Sequence, residues 1–289
     1  MGTVEKALTS LGALVAARPQ QQEPPPKAKI VQLPLWPEAV RGTPNAFLRS
    51  ALFAAIQGKE RRYMERETLG SYDGLTLRFT GQQLDQSHLD VWEQIVHLAR
   101  LHPLGELCHF KAHAFLKAIG RKSGKSDYDA LDCDIEHLRA CAVVIKHGGR
   151  EYVGGLVQNA WRDKETGEYK VILDPQITRL FYSTEWTGIE WEARLKLKGK
   201  PLALWLHGFY STHAKPYPIK VETLHKLCGS TTKEVWKFKQ NLKAALDALC
   251  SITGWTHSID GDLVTVTTTP TPAQQKHLTR RRKPRKRAD

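Results

Sequence analysis

An α+β fold made of two winged helix-turn-helix domains in tandem is what the 289-residue sequence predicts, and two observations lead there. The order of helices followed by hairpins can be read twice along the chain from hydrophobic periodicity. The last long helix of the second pass also carries an aliphatic stripe opposite a lysine-rich one. The expected divisions are a flexible N-terminal segment over 1–40, a first domain over 41–190, a second over 191–269 and a disordered basic tail over 270–289.

Near the start, Val4 to Ala17 reads as a short helix. Gln20 to Glu23 and the run Pro24, Pro25, Pro26 read as extended linker. Alternation at Leu75, Leu77 and Phe79 then predicts a strand, and Val91, Trp92, Ile95, Leu98 and Ala99 recur at helical spacing. After Pro103 come a short apolar segment near Leu107 and a helix from about Lys111 to Ile119. Another helix from about Asp127 to Ala140 follows, with Ser126 as its natural N-cap. Three β-patterned stretches close the first pass: Ala142 to Lys146, Tyr152 to Trp161, and Tyr169 to Leu173 beyond the turn Asp163 to Gly167.

The second pass opens with a helix from Pro201 to Thr212, where proline suits the first helical position. A short strand (Tyr217 to Lys220), a helix (Val221 to Cys228), a turn through Gly229 and a helix from Thr232 to about Leu249 come next. Trp255 to Ile259 and Leu263 to Thr268 make the closing hairpin around Gly261.

On that last helix, Val235, Phe238, Leu242, Leu246 and Leu249 fall on one side at about 100° per residue and should pack inward. Lys233, Lys237 and Gln240 then project outward, with Trp236 and Lys243 at the edges and Thr231 and Thr232 at the helix start. Long cations suit phosphates or guanine edges and an amide suits adenine, so this is a surface for the major groove of DNA. The matching helix of the first pass differs. Asp127, Asp129, Asp132, Asp134 and Glu136 crowd its outward positions while Leu131, Ile135 and Leu138 face inward. Carboxylates repel phosphates. The first domain should therefore touch DNA through the loop Arg121, Lys122, Lys125, or serve as a protein interface.

The formal net charge is +13. Eight Lys or Arg against one Asp place +7 of it between Lys276 and Asp289. Arg280, Arg281, Arg282, Lys283, Arg285, Lys286 and Arg287 are expected to attract nucleic acid without base specificity. No segment has the roughly 18 uninterrupted apolar residues of a membrane span and no secretory signal is legible, so a cytoplasmic protein without a membrane partner is expected. Cys108, Cys133, Cys141, Cys228 and Cys250 are odd in number with no CxxC pair, which predicts reduced thiols and neither a zinc ribbon nor a disulfide scaffold. A GxxxxGK[ST] phosphate loop is absent. His109 and His113 lack an HExxH context or a nearby acidic partner, so no metal, no cofactor and no catalysis are expected.

These residues converge on a family. Over about residues 30–268 the chain resembles the TrfA-type replication initiators of broad-host-range bacterial plasmids, most strongly in Thr43 to Phe53 (TPNAFLRSALF), His102 to Glu106 (HPLGE) and Lys215 to Ser230 (KPYPIKVETLHKLCGS). The resemblance implies two winged-helix domains that bind repeated origin sequences called iterons in double-stranded plasmid DNA. It also implies opening of the adjacent AT-rich duplex, recruitment of the host initiator and replicative helicase, and self-association as monomer or dimer. It places base reading on Lys233, Trp236, Lys237, Gln240 and Lys243.

Gln32, Leu33, Pro34, Leu35 and Trp36 further resemble the QLSLF-type peptide that docks on the bacterial sliding clamp, departing from it at Pro34 and Trp36. Leu35 and Trp36 would be its apolar anchors; the alternative is that they staple the linker to the first domain. Two other functions compete with initiation: a transcriptional repressor built from the same domains, its own promoter included among the operators, and a strand-nicking enzyme, for which the metal motif is missing.

Overall fold

The structure is a computed structural model that describes residues 32–58, 60–72, 74–181 and 185–282. The expected helix at 4–17, the linker at 20–26 and the tail cations Lys283, Arg285, Lys286 and Arg287 lie outside the described residues. So do the side chains of Arg280, Arg281 and Arg282.

The first half begins with β1 (Val40–Pro44), α1 (Asn45–Leu48), β2 (Phe53–Ala54), β3 (Tyr63–Leu69), β4 (Thr76–Gln82) and β5 (Leu84–Asp85). Helix α2 (Gln86–Ala99) follows at once, because the Asp85 carboxylate accepts from the backbone N–H groups of Ser87 and His88 at 2.9 and 3.2 Å. Then come β6 (Cys108–Lys111), α3 (Ala112–Ala118), α4 (Lys125–Ala140), β7 (Ala142–His147), β8 (Arg150–Gly154), β9 (Asn159–Asp163) and β10 (Glu168–Ile172). A 3₁₀ turn at Pro175–Phe181 leads to β11 (Trp186–Glu190).

Four sheets organise these strands, one of them the parallel pair β2-β5. A second is antiparallel in the order β3-β4-β7-β8, a third in the order β6-β10-β9, and β1 pairs with β11. The single strand expected from Tyr152 to Trp161 is thus two, belonging to different sheets. Gly154 and Gly155 break it, and the chain dives so that Leu156 and Val157 are buried. The expected N-cap Ser126 also moves. Helix α4 starts at Lys125, with the Gly124 N–H donating to the Asp127 carboxylate at 3.2 Å.

The second half contains α5 (Trp191–Lys196), α6 (Pro201–Ser211), β12 (Ile219–Lys220), α7 (Val221–Leu227), α8 (Val235–Thr253), β13 (Thr256–Asp260) and β14 (Leu263–Thr267). Its sheet runs β12-β14-β13. Both halves therefore repeat one order: helix, short strand, helix, helix, hairpin, with the short strand paired to the last strand. In the first half these are α2, β6, α3, α4, β9 and β10, and the β7-β8 hairpin is an insertion serving another sheet.

Beyond them lies α9 (Pro272–Arg282), where a disordered tail is expected. The local chemistry explains it. Thr271 N–H donates to Gln274 Oε1 at 2.9 Å, Gln274 N–H donates to Thr271 Oγ1 at 3.3 Å, and proline occupies the first helical position. Gln274 Nε2 anchors this helix by donating to the Ser211 carbonyl at 2.9 Å.

Buried apolar side chains form two clusters, one from Leu33 to Trp191 and one from Leu197 to Val266. Polar contacts bridge them. Arg49 donates to the Thr212 hydroxyl and carbonyl, both at 2.9 Å, and the Trp205 indole donates to the Ser50 carbonyl at 3.1 Å. Arg194 on α5 lies 2.6 Å from Asp90 and 3.1 Å from Glu93, both on α2.

Candidate nucleic-acid interface

Helix α8 starts three residues later than its sequence suggests. His225 Nε2 meets the Thr232 carbonyl at 2.8 Å and the Thr232 N–H donates to Ser230 Oγ at 3.2 Å, so residues 230–232 form a turn. Thr231, Thr232 and Lys233 consequently precede the helix, and Glu234 is its N-cap. Val235 is a second correction: expected inside, it is exposed, because it opens the helix above the packed face. Phe238, Leu242, Ala245, Leu246 and Leu249 are buried as the inward stripe. Gly254 ends the helix in the left-handed conformation at φ 70°, which a residue with a Cβ adopts only with strain.

The outward side of α8 carries Trp236, Lys237, Gln240 and Lys243, with Lys233 just before it; all are exposed, Trp236 at 63 %. None of these lysines, nor Gln240, makes a side-chain hydrogen bond or ion pair among the described residues. Lys239 differs from its neighbours. Its Nζ donates to the Gly261 carbonyl at 2.5 Å and lies 3.3 Å from Asp262 Oδ1, joining α8 to the β13-β14 turn. The sequence reading missed this role, although 239 lies about 100° from 240 and toward the aliphatic flank. Farther along, Asp247 pairs with His257 at 3.4 Å, so the cationic part of the face is its N-terminal half.

The loop expected to serve the first half is divided. Arg121 is withdrawn from solvent, 2.5 Å from Asp134 and also donating to Ser87 Oγ at 2.7 Å; Lys122 and Lys125 are exposed. Nor are the five carboxylates of α4 all outward. Asp134 is buried beside Arg121 and His88, and Asp132 receives Arg162 and the Tyr169 hydroxyl. Asp127 is half-buried, while Asp129 and Glu136 remain exposed.

The segment read as a clamp-docking peptide is built into the first core. Leu33 and Trp36 are 3 % and 6 % exposed, and only Leu35, at 68 %, faces solvent among the apolar members. The Trp36 indole stacks on Phe181 and donates to His97 Nδ1 at 3.1 Å. The His97 proton therefore sits on Nε2, which donates to Glu38 at 2.8 Å. Gln32 Nε2 donates to the Arg100 carbonyl at 3.2 Å. Gly42 is required here, since a Cβ at that position would meet the Trp36 ring at 2.7 Å. Glu38, hydrogen-bonded by His97 and Arg100, is held well below the usual carboxylate range at about 2. The stapling alternative thus accounts for Leu33 and Trp36, and one apolar anchor is left on the surface where the docking reading needs two.

Elsewhere, His109 lies 3.8 Å from Glu168, and no group of three or more His, Cys, Asp or Glu among the described residues could hold a metal ion. No helix among them is long and apolar enough to cross a membrane.

Comparisons with known proteins bear on the family and the fold. The model of the family described as "TrfA protein" matches residues 9–266. A curated Escherichia coli protein, "Plasmid replication initiator protein TrfA", is 28 % identical over 228 residues, covering 74 % of this chain. The chain spans 58 % of that relative's length. Among solved structures, domains 2 and 3 of RctB superpose with a TM-score of 0.55 at 11 % identity, covering 78 % of this chain and 98 % of that one. A second crystal structure of RctB domains 2–3 gives a TM-score of 0.50 at 10 % identity, covering 78 % and 97 %. Identities this low establish a shared mixed α/β fold and nothing more. With its family model matching nearly the whole of the described chain, this protein belongs to the TrfA family.

Proposed function

We propose that this chain is a plasmid replication initiator. In this reading it binds repeated origin sequences in duplex DNA, promotes opening of an adjacent AT-rich tract and brings host replication proteins to it. The observation that carries the reading is the N-terminal half of α8 and the turn before it, where Lys237, Gln240, Lys243 and, ahead of the helix, Lys233 face solvent with no protein partner among the described residues. Lysines that merely solvate a helix need no such geometry. Here, however, the helix is the last of three before a hairpin, which is the position that enters the major groove in helix-turn-helix proteins. Family membership and the name of the Escherichia coli relative point the same way.

Each half would then be a winged helix-turn-helix unit, with β9-β10 and β13-β14 as the wings. The repeated strand order, β6-β10-β9 and β12-β14-β13, supports that assignment. The two units would divide the work, since α4 presents Asp129 and Glu136 where α8 presents lysines. No catalytic step is assigned to the chain; binding energy from several copies on adjacent repeats would offset strand separation.

Selection of bound duplexes from a random library, followed by cloning the selected site beside an AT-rich tract, tests the proposal. Direct repeats that sustain replication of a plasmid only when the protein is supplied are the expected result. A palindrome that silences an overlapping promoter and supports no replication would make the protein a repressor instead.

A further inference from the structure

Alongside the lysine face runs a cleft of about 440 Å³ between α8, the start of α6 and the segment at residues 55–57. Its polar lining comes from Gln57, Lys200, Ser230, Thr231, Thr232 and Asn241, and no residue lining it carries a carboxylate. Asn241 follows Lys237 by one helical turn, so the cleft and the lysine face share an edge. Alanines at 244, 245 and 248 keep the α8 wall low. Lys200 is exposed and makes no side-chain ion pair among the described residues. The Gln57 amide donates to the Gly199 carbonyl at 3.4 Å, closing the far side. None of these positions except Thr231 and Thr232 stands out from the sequence, because they come from three segments.

We propose that this cleft seats one strand of the DNA backbone, with Lys200 on a phosphate and the Asn241 amide and the Thr231 hydroxyl donating to the same or the next one. The proposal rests on the reading of α8 as the base-contacting helix. It divides the exposed surface of α8 in two: the stripe Trp236, Gln240, Lys243 meets base edges, Asn241 borders the strand, and Lys237 lies between the two. A wall with hydroxyls, an amide and one cation, and no carboxylate, suits a phosphate diester. Gln57 brings the first half to the same strand, so both halves fix the register of the duplex.

The full-length protein is titrated with a selected duplex and with a scrambled duplex of equal length, over a range of salt. Lys200→Ala should weaken binding to both by the same factor, about five- to tenfold, and lower the salt slope by about 0.9. Asn241→Asp, which sets a carboxylate in the cleft, should weaken both at least as much. Both sites are exposed, and unchanged thermal unfolding verifies the fold. Unaltered affinity and slope in both variants, or a loss confined to the selected duplex, would overturn the cleft assignment. Lys237→Glu in parallel separates the two readings: if it too binds normally, the assignment of α8 fails; if it alone loses binding, only the cleft does.

Discussion

Lys237 and Lys239 are two residues apart on α8 and have different partners. Lys239 bonds the turn between β13 and β14, through the Gly261 carbonyl and the Asp262 carboxylate. An exposed ion pair of this kind contributes little to folding, so Lys239→Ala should lower stability by less than about 1 kcal/mol in urea titration. The same substitution at Trp36 is a different matter: removing a buried indole should cost about 3–5 kcal/mol. Leu35→Ala should stay within about 0.5 kcal/mol. The opposite order in unfolding experiments would mean that the 32–36 segment is not part of the core. Arg121 illustrates how side-chain partnerships escape composition. Asp134 falls three residues after Leu131 and four before Leu138, so the apolar stripe itself carried it inward to Arg121. Counting carboxylates on α4 passed over that phase.

At the scale of elements, helices α2 to α4 and α6 to α8 and the second-half hairpin were legible because periodicity, Pro201 and Gly261 mark them locally. The pair β1-β11 was not, since neither strand alternates and each is completed by a partner far away in sequence. Strand β6 likewise is a strand because β10 lies beside it. Helix α9 carried its capping box in Thr271 to Gln274, and the charge run beyond it masked the signal. For α8, the outward amide gives a specific expectation. Gln240→Ala should relax preference at one base pair, by about 1–3 kcal/mol, while leaving non-specific affinity unchanged; comparing selected and single-substituted duplexes measures it. An equal loss on every sequence would place Gln240 on the backbone.

Across the whole molecule, the two cores are coupled through α5. Glu93, fully buried and hydrogen-bonded by Thr43 at 2.6 Å, is pushed up to about 7 by burial, which the Arg194 charge only partly offsets. The folded state therefore holds this proton more tightly than the unfolded chain, whose carboxylate titrates near 4.5. On that account stability declines as pH rises from about 4.5 to about 7. Glu93→Gln should flatten this decline in unfolding measured across that range, and an undiminished slope would assign it to other groups. In the proposed function, charge outside the cores acts on binding instead. Removing 276–289 should weaken affinity for all sequences and flatten the salt dependence, with site preference retained.

The most direct test replaces Lys233 and Lys237 together by glutamate in the full-length protein and measures binding to a selected duplex beside a scrambled one. With thermal unfolding unchanged, the double variant is expected to lose discrimination between the two and to bind both only weakly. A folded double variant that still protects the selected site as the parent does would contradict the account.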